Sequence, residues 1–360
     1  MIRILHIVTS MNRGGLETLL MNCFRCMDRD RIQFDFLVHR SSPGDYDREI
    51  ETLGGRIHRL PRLNPLHPGY YLALNHFFRS HPEYRIVHCH LDCMSALPLS
   101  AARKHSVPVR IAHSHNTSQD RDWKYPLKRI LMKQTPRFAT HFFACSRASG
   151  NWMFPGHPVS LIKNGIDTQC FRFSPPLRSQ VRRELSLEGS LVVGHTGRLV
   201  PQKNHAFLLE IFAELHRRNA DAVLLLAGEG PLESSLRRRA ESLGISHQVR
   251  FLGMRDDVHR LLQAMDVFVM PSYYEGLSLS AVEAQACGLP CLFSDALSAE
   301  CALTARVQFL SLTLSPKQWA EEILSAAALP RTSGHEAVRD AGFDIQTTAD
   351  TLHSFYQENW

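Results

Sequence analysis

Short apolar runs alternate with longer stretches of helical periodicity along the whole chain. Glu17–Met27 and Tyr70–Phe78 show the amphipathic helical pattern. The predicted strands are Ile2–Val8, Gln33–Val38, Arg85–Cys89, Val107–Ala112 and His141–Ala144 in the first half, and Leu191–Gly194, Ala222–Ala227, Val249–Leu252, Val267–Met270 and Pro290–Phe293 in the second. Because consecutive parallel strands need a crossover connection, usually a helix, this alternation predicts an α/β fold with parallel sheets built from βαβ units.

The chain of 360 residues is long enough for two domains, each with its own apolar core. The turn signal Lys163–Asp167 and the proline-punctuated segment Phe171–Pro176 place the boundary between them. A last helical pattern covers about Ile345–Asn359. The predicted divisions are therefore 1–170, 171–344 and a C-terminal helix in 345–360.

Composition is typical of an ordered globular protein, with 44% hydrophobic and 21% charged residues. No apolar run approaches the roughly 20 residues that cross a bilayer. The segment Met1–Val8 is short and leads into polar residues. It has the pattern of a first strand and not that of a signal peptide. An odd number of cysteines, nine, fits a reducing compartment. We therefore expect a cytoplasmic protein.

The net charge of +6 is unevenly distributed. Residues 1–170 carry 23 Lys and Arg against 13 Asp and Glu, whereas residues 171–360 carry 18 against 22. A basic first half implies an anionic partner. Nucleic acid is not expected, because no helix-turn-helix, zinc finger or aromatic-laced basic sheet motif is present. A membrane surface or a lipid diphosphate fits the charge better.

Segment 121–138 is the most basic part of the first half, with six positive charges and one negative. Its apolar residues are interleaved with the charges and include Trp123, Tyr125, Leu127, Ile130 and Leu131. Basic and aromatic residues on a helical period suit the interface of an anionic membrane, which predicts peripheral contact with the inner face of the plasma membrane. The alternative is a surface helix whose apolar side faces the core.

Two glutamates eight residues apart follow the predicted strand Val267–Met270. Glu275 lies in a strand-to-helix loop, and Glu283 lies in the helix that follows. Such a helix start offers free N–H groups and a positive dipole end to an anion, while the carboxylates can hold sugar hydroxyls. The structural alternative is a solvated helix that is capped by its own Ser280 and Glu283.

A loop rich in glycine and positive charge, Gly194–Asn204, follows the first strand of the second half. Arg198 and Lys203 are five residues apart in it, on a loop that enters a helix. Together they can clamp a diphosphate, since a guanidinium binds as a planar fork and an ammonium as a point charge.

These two segments resemble the E-x7-E and G-R-x4-K-N motifs of retaining glycosyltransferase family 4. The resemblance implies a GT-B fold, in which two Rossmann-like domains face each other across a cleft and the last helix packs back on the first domain. It implies a retaining, metal-independent transfer of a hexose or N-acetylhexosamine from a nucleotide sugar, most simply a UDP-sugar. The implied acceptor is a lipid-linked saccharide in exopolysaccharide or capsule biosynthesis.

The resemblance also implies roles for individual residues. Arg198 and Lys203 stabilise the leaving nucleoside diphosphate, Glu275 holds the hydroxyls of the donor sugar, and Glu283 binds the ribose. Gly14 and Gly15 form a loop over the diphosphate, although a tight turn alone could also require glycine. Further donor contacts are implied for Gly197, Gly228, Gly230, Gly253, Met254, Gly276, Leu277 and Ser278.

Histidines occur two apart at the ends of two strands of the first half, as His88 and His90 and as His113 and His115. Residues two apart on a strand share a face, so both members of each pair can point the same way. Four such histidines could bind zinc, but no companion carboxylate or cysteine spacing supports a metal site. The resemblance instead assigns His115, with Asn116, to the transferred sugar, and His113 is the alternative. We expect no metal and no cofactor.

One segment departs from the family pattern, since the loop 296–300 lacks the usual glycine before Glu300. Two alternatives to a transferase also stay open at this point. One is a non-catalytic GT-B scaffold that assists another transferase, and the other is a GT-B sugar-nucleotide epimerase, which needs no acceptor.

Overall fold

The computed structural model describes residues 1–119 and 124–360, which divide into two compact units. One unit comprises Met1–Gly165 together with Ile345–Trp360, and the other comprises Ile166–Asp344. The division thus lies five residues before the position expected from the sequence, and the last helix belongs to the first unit.

The first unit contains a seven-stranded parallel sheet in the order β3-β2-β1-β4-β5-β6-β7. Its strands are β1 (Ile2–Val8), β2 (Ile32–Val38), β3 (Ile57–Arg59), β4 (Ile86–Cys89), β5 (Val109–Ser114), β6 (His141–Ala144) and β7 (Ser160–Leu161). Its first helices are α1 (Gly15–Cys26), α2 (Asp47–Thr52), α3 (Pro68–Ser80), α4 (Ala96–Lys104), α5 (Tyr125–Phe138) and α6 (Arg147–Met153).

The second unit contains a six-stranded parallel sheet in the order β10-β9-β8-β11-β12-β13. Its strands are β8 (Val192–Thr196), β9 (Val223–Ala227), β10 (Val249–Phe251), β11 (Val267–Met270), β12 (Cys291–Ser294) and β13 (Val307–Leu310). Its helices are α7 (Pro175–Glu184), α8 (His205–Arg218), α9 (Glu233–Ser242), α10 (Val258–Ala264), α11 (Leu279–Ala286), α12 (Pro316–Ala327) and α13 (His335–Val338). The chain ends with α14 (Ile345–Glu358) in the first unit.

The α/β class with parallel sheets is confirmed, and each of the ten predicted strands has a counterpart within two residues at either end. The prediction missed β3, β7 and β13, each of which lies at a sheet edge. These strands are short and largely open to solvent. They lack the continuous apolar run that marks a strand buried on both faces, and so they carry little sequence signal.

In each sheet the strand order reverses at one place, between β1 and β4 in the first unit and between β8 and β11 in the second. The connections on either side of this switch point leave toward opposite edges of the sheet. A crevice therefore opens outside the carboxyl ends of the strands, where ligands of open α/β sheets bind. Among the described residues, no helix combines the length and apolar character needed to cross a bilayer.

The two faces of the first sheet differ in character. Leu5 and Ile7 of β1 join an apolar cluster with Tyr70 and Leu74 of α3. The intervening residue, His6, points to the opposite face, where its ring lies 4.2 Å from that of Phe34 between centroids. Helices α1 and α14 pack together within this unit.

Tyr356 anchors α14 to the first unit. Its side chain is fully buried, and its Oη lies 2.6 Å from Nδ1 of His88 in β4. Burial raises the pKa of the Tyr356 hydroxyl well above its ordinary value, so the group is neutral and available for a hydrogen bond.

We predict that Tyr356→Ala lowers the free energy of unfolding by about 3–5 kcal/mol, because it leaves a ring-sized cavity in the core. Tyr356→Phe should lower it by only about 1 kcal/mol, since it removes one hydrogen bond and keeps the ring. Urea unfolding of both variants checks this, with Gln357→Ala at the adjacent exposed position as the control. Equal midpoints for Tyr356→Ala and Gln357→Ala would contradict the docking of α14.

Candidate functional site

Backbone hydrogen bonds join the loops that follow β8, β9 and β10. The N–H of Gly197 donates to the carbonyl of Ala227 at 2.9 Å, and that of Gly228 donates to the carbonyl of Gly253 at 2.8 Å. Met254 follows directly, with a side chain that is 37% exposed. The structure therefore brings together the glycines that the sequence placed on three separate loops.

Two of these glycines are required by how closely the loops pack. Gly228 has a φ of +136°, and a Cβ added to it would lie 2.1 Å from the carbonyl oxygen of Gly197. A Cβ on Gly230 would lie 2.4 Å from the carbonyl oxygen of Leu199. No side chain fits at such distances from backbone atoms, so the loops themselves account for both glycines. Their contact with the donor stays a prediction.

Lys203 and Glu275 meet beside the switch point of the second sheet. The N–H of Tyr273 donates to the carbonyl of Gln202 at 2.9 Å, and the side-chain amide of Gln202 donates to the carbonyl of Tyr274 at 2.9 Å. These bonds hold the loop after β8 against the loop after β11. As a result, Nζ of Lys203 lies 2.7 Å from Oε1 of Glu275.

The two charges of this pair are largely removed from water, with side chains 13% and 8% exposed for Lys203 and Glu275. Each stabilises the other, because an unpaired buried charge is costly. Arg198 differs, since it is exposed and none of the residues in 1–119 and 124–360 forms an ion pair with its guanidinium. One cation of the motif is thus held in place and the other is free to bind an anion.

Glu275 leads directly into the start of α11. Gly276 and Leu277 are buried, and Ser278 is the residue that precedes the helix. The side chain of Ser278 makes no capping hydrogen bond to the first N–H groups, and its Oγ lies instead 2.9 Å from Oγ of Ser280. The capping box considered for Ser280 and Glu283 is therefore wrong, because the helix begins too early for it.

Glu283 is a partly buried carboxylate on α11. Within the described part of the chain, no residue makes a hydrogen bond or ion pair with it. Burial raises the pKa of the Glu283 carboxyl from 4.5 to about 7. A carboxylate held without a partner can accept hydrogen bonds from a pair of ligand hydroxyls.

The sequence interpretation missed three polar atoms at the ends of β8 and β11. Oγ1 of Thr196, Oγ of Ser272 and Nε2 of His195 are buried and make no hydrogen bond to any residue that the structure describes. Burial, together with the nearby His205 and Lys203, lowers the pKa of His195 well below its ordinary value. Only their position at strand ends beside the switch point could have marked them, because their residue types are common.

In the first unit, five histidines form one layer at the carboxyl ends of three neighbouring strands. They share one face of the sheet, since β4 and β5 each contribute two histidines that are two residues apart, and the single histidine of β1, His6, pairs in register with His88. Neighbouring ring centroids are 4.1–5.3 Å apart. The layer consists of His6, His88, His90, His113 and His115.

Asp92, which the sequence interpretation also missed, positions the two residues assigned to the sugar. Its Oδ1 accepts from the backbone N–H of His115 at 2.9 Å, and its Oδ2 accepts from the side-chain amide of Asn116 at 2.7 Å. Burial raises the pKa of the Asp92 carboxyl despite these hydrogen bonds. Its backbone has a φ of +41°, a conformation that no sequence pattern revealed.

The histidine layer has the residue type and spacing to bind a metal. Two sets offer ligand atoms within 4.8 Å of one another, namely His6 with His88 and His90, and His90 with His113 and His115. Three pairs of ring nitrogens in the layer are 2.9–3.0 Å apart, and Nδ1 of His88 lies 2.6 Å from Oη of Tyr356, so all four distances fit direct hydrogen bonds. The expectation of no metal therefore stays a prediction.

Two family models match this chain, "Glycosyltransferase Family 4" over residues 13–169 and "Glycosyl transferases group 1" over residues 178–338. A protein of Bacillus subtilis (strain 168) named as a glycosyltransferase, EpsF, is 36% identical over 98% of this chain and 96% of its own length. The chain belongs to glycosyltransferase family 4. It is a glycosyltransferase, as the motifs implied.

Two further similarities describe this family 4 enzyme. An Escherichia coli protein named UDP-Gal:alpha-D-GlcNAc-diphosphoundecaprenol alpha-1,3-galactosyltransferase is 26% identical over 82% of this chain and 79% of its own length. The crystal structure of Anabaena HepE in complex with UDP and glucose superposes with a TM-score of 0.81 at 21% identity, covering 99% of this chain and 100% of that one. The fold is GT-B.

Gly14 and Gly15 lie at the start of α1 in the family 4 enzyme. Gly14 is extended, with a φ of −156°, and Gly15 is the first helical residue. Neither requires the left-handed backbone that favours glycine, and a Cβ on Gly15 would meet nothing within 4 Å. The tight-turn explanation for this pair is therefore wrong, and a loop open to a ligand stays the prediction.

The basic segment 121–138 coincides largely with α5. Leu131 and Met132 join the core cluster, whereas Ile130 is 56% exposed among the cations of the outer face. The helix thus has an apolar inner side, as the structural alternative requires, and a basic outer side. Trp123 lies outside the described residues.

The segment without glycine, 296–300, forms a short turn after β12. Oγ of Ser298 accepts from the N–H of Glu300 at 3.2 Å and caps the helical turn Ala299–Cys301. A serine cap thus stabilises this turn, which contains no glycine.

We predict that Glu283→Gln stabilises the enzyme increasingly as the pH rises. The folded-state pKa of Glu283 lies above the unfolded value of 4.5, so protonation favours the folded state. That contribution is complete below pH 4.5 and is lost as the pH rises through about 7. The difference in the free energy of unfolding between the variant and the wild type should therefore grow in favour of the variant by about 1–3 kcal/mol between pH 4.5 and pH 8.

Urea unfolding between pH 4.5 and 8 measures this difference. The exposed Glu241→Gln on α9 is the matched control, and its difference from wild type should not change with pH. A difference for Glu283→Gln that is equally independent of pH would contradict a raised pKa at this carboxyl.

Proposed function

We propose that this protein is a retaining, metal-independent glycosyltransferase. It moves a hexose or an N-acetylhexosamine from a UDP-sugar to a lipid-linked saccharide, as a step of exopolysaccharide or capsule assembly. The observation that carries the proposal is the Lys203–Glu275 ion pair at the switch point, together with Arg198 and Glu283, which form no ion pair with any residue of 1–119 and 124–360.

The charges at this site match the parts of a nucleotide sugar. Arg198 and Lys203 supply two cations for the diphosphate, whose charge grows as the glycosidic bond breaks. Because these side chains can neutralise the leaving group, they supply the charge that a metal ion supplies in other transferases. The uncapped start of α11 adds N–H groups and a positive dipole end.

The carboxylates would orient the donor. Glu275 keeps a fixed position because Lys203 and the surrounding loops hold it, so it can accept hydrogen bonds from sugar hydroxyls. Glu283 would accept hydrogen bonds from the ribose, and His115 and Asn116 would contact the transferred sugar. We assign no carboxylate of residues 1–119 and 124–360 the role of nucleophile, so the acceptor would attack from the side of the leaving diphosphate, which takes its proton.

Two similarities support the choice of substrates. The solved HepE structure contains UDP and glucose, and the name of the Escherichia coli relative specifies a UDP-sugar donor and a diphosphoundecaprenol-linked acceptor. The basic first half of the chain fits a lipid diphosphate.

The proposal predicts release of UDP or GDP from one member of a panel of UDP- and GDP-sugars, when lipid extract and EDTA are present. Lys203→Ala and Glu275→Ala should each lower this rate at least about 100-fold, which is typical of removing one group that stabilises developing charge. Lys317→Ala, at an exposed position on α12, is the control and should retain the wild-type rate.

Four outcomes would contradict parts of the proposal. Donor that is isomerised without any acceptor would identify an epimerase, and binding of no donor would favour a scaffold. Release that requires a divalent cation would refute metal independence. A glycosyl-enzyme adduct trapped by mass spectrometry would refute attack from the side of the leaving group.

We also propose that the outer face of α5 contacts an anionic membrane. The double variant Arg129→Glu/Lys133→Glu reverses two exposed charges there and should lower binding to vesicles that contain anionic lipid by about tenfold or more, at about 1 kcal/mol per cation removed. The double variant Arg238→Glu/Lys317→Glu makes the same charge change on the second unit and should bind as wild type. Equal cosedimentation of the two variants would refute this surface.

A further inference from the structure

A chain of three imidazoles runs through the histidine layer of the first unit. Nδ1 of His6 lies 3.0 Å from Nε2 of His90, and Nδ1 of His90 lies 2.9 Å from Nε2 of His115. Each separation is that of a direct N–H···N hydrogen bond. The chain therefore links a fully buried residue of β1 to the residue assigned to the donor sugar.

All three rings are neutral, because burial opposes the imidazolium form. Burial lowers the pKa of His6 and of His115 to about 3 and that of His90 well below its ordinary value. A neutral imidazole carries one proton, so it donates through one nitrogen and accepts through the other. The three protons can consequently be arranged in only two ways, one for each direction along the chain.

The buried end of the imidazole chain, His6, selects the direction in which the hydrogen bonds are donated. Within residues 1–119 and 124–360, Nε2 of His6 has no hydrogen-bond partner, and the ring faces an aromatic environment, with the ring centroids of Phe34 and Phe36 at 4.2 and 5.6 Å. A buried N–H without an acceptor is rarer than a buried acceptor without a donor. The proton of His6 is therefore on Nδ1 and is donated to His90. His90 in turn donates from its own Nδ1 to Nε2 of His115.

The remaining proton is then on Nδ1 of His115. This residue is only partly buried, and no residue in the described part of the chain makes a hydrogen bond to its Nδ1. We propose that His6 and His90 are positioning residues, which fix His115 as the Nδ1–H tautomer and so present a neutral hydrogen-bond donor to an oxygen of the nucleotide sugar. The ligand oxygen is a sugar hydroxyl or a diphosphate oxygen, and this assignment rests on the proposed function.

Neither of the two possible metal sets contains all three imidazoles, because His6 occurs in one set and His115 in the other. In the hydrogen-bonded chain a proton lies between each pair of nitrogens, whereas a bound ion would need the lone pairs of its ligands to converge on one point. The N···N distances favour the hydrogen-bonded chain of imidazoles over a metal site. A metal site is one of the outcomes that the test below distinguishes.

The first test reads the tautomer of His115 directly. Two-bond ¹H–¹⁵N correlation spectra of the full-length protein labelled with ¹⁵N-histidine distinguish Nδ1–H from Nε2–H. The expected result for wild type is Nδ1–H at His6, His90 and His115. An Nε2–H form of His115 in the wild type would overturn the proposal without any variant or substrate.

Variants of His90 test the coupling. His90→Leu removes the donor to His115, which should then shift toward Nε2–H, and kcat/KM for nucleotide release should fall about tenfold, the loss expected for one hydrogen bond. His90→Gln can both accept from His6 and donate to His115, so it should restore the Nδ1–H form and most of the activity.

His39→Leu is the control for burial, because His39 is as buried as His90 but bonds to Val8 and Tyr70 outside the layer. It should leave the His115 signals unchanged. An unchanged tautomer in His90→Leu would refute the proposal, as would copurified zinc whose removal shifts the His90 and His115 signals. Nδ1–H at His115 without release from any donor would refute the proposed function and leave the tautomer assignment standing.

Discussion

The candidate site depends on the way parallel strands end. Every strand of a parallel sheet has its carboxyl end at the same edge, and the two halves of the sheet extend in opposite directions from the switch point. In the second unit this brings the loop after β8 against the loop after β11, which carry Lys203 and Glu275. In the first unit the same geometry stacks histidines from β1, β4 and β5 into one layer.

Two groups of polar side chains in these crevices find partners in different ways. Lys203 and Glu275 neutralise each other, and histidines of the layer bond to one another and to Tyr356, because polar groups removed from water need partners. Arg198 and Glu283 find no such partner among the described residues. A surface that combines fixed, paired groups with unpaired ones is rigid and still able to bind a charged, hydroxyl-rich ligand.

Much of this could be read from the sequence. Central strands were predicted within two residues, because strands buried on both faces need continuous apolar runs, whereas the edge strands β3, β7 and β13 left too short a signal. The spacing of Arg198 with Lys203 and of Glu275 with Glu283 marked the donor motifs. The capping box at Ser280 and the tight turn at Gly14 were wrong, because helix starts depend on the local backbone, which residue types only bias.

The sequence by itself determined the α/β class, the two-unit division and the charged residues of the motifs, since these follow from periodicity and local spacing. Only the tertiary structure decided what those residues touch. The loop packing that requires Gly228, the support of His115 by Asp92, and the link from His6 through His90 all join residues far apart in the chain. Such contacts depend on strand order and register, which a linear pattern does not encode.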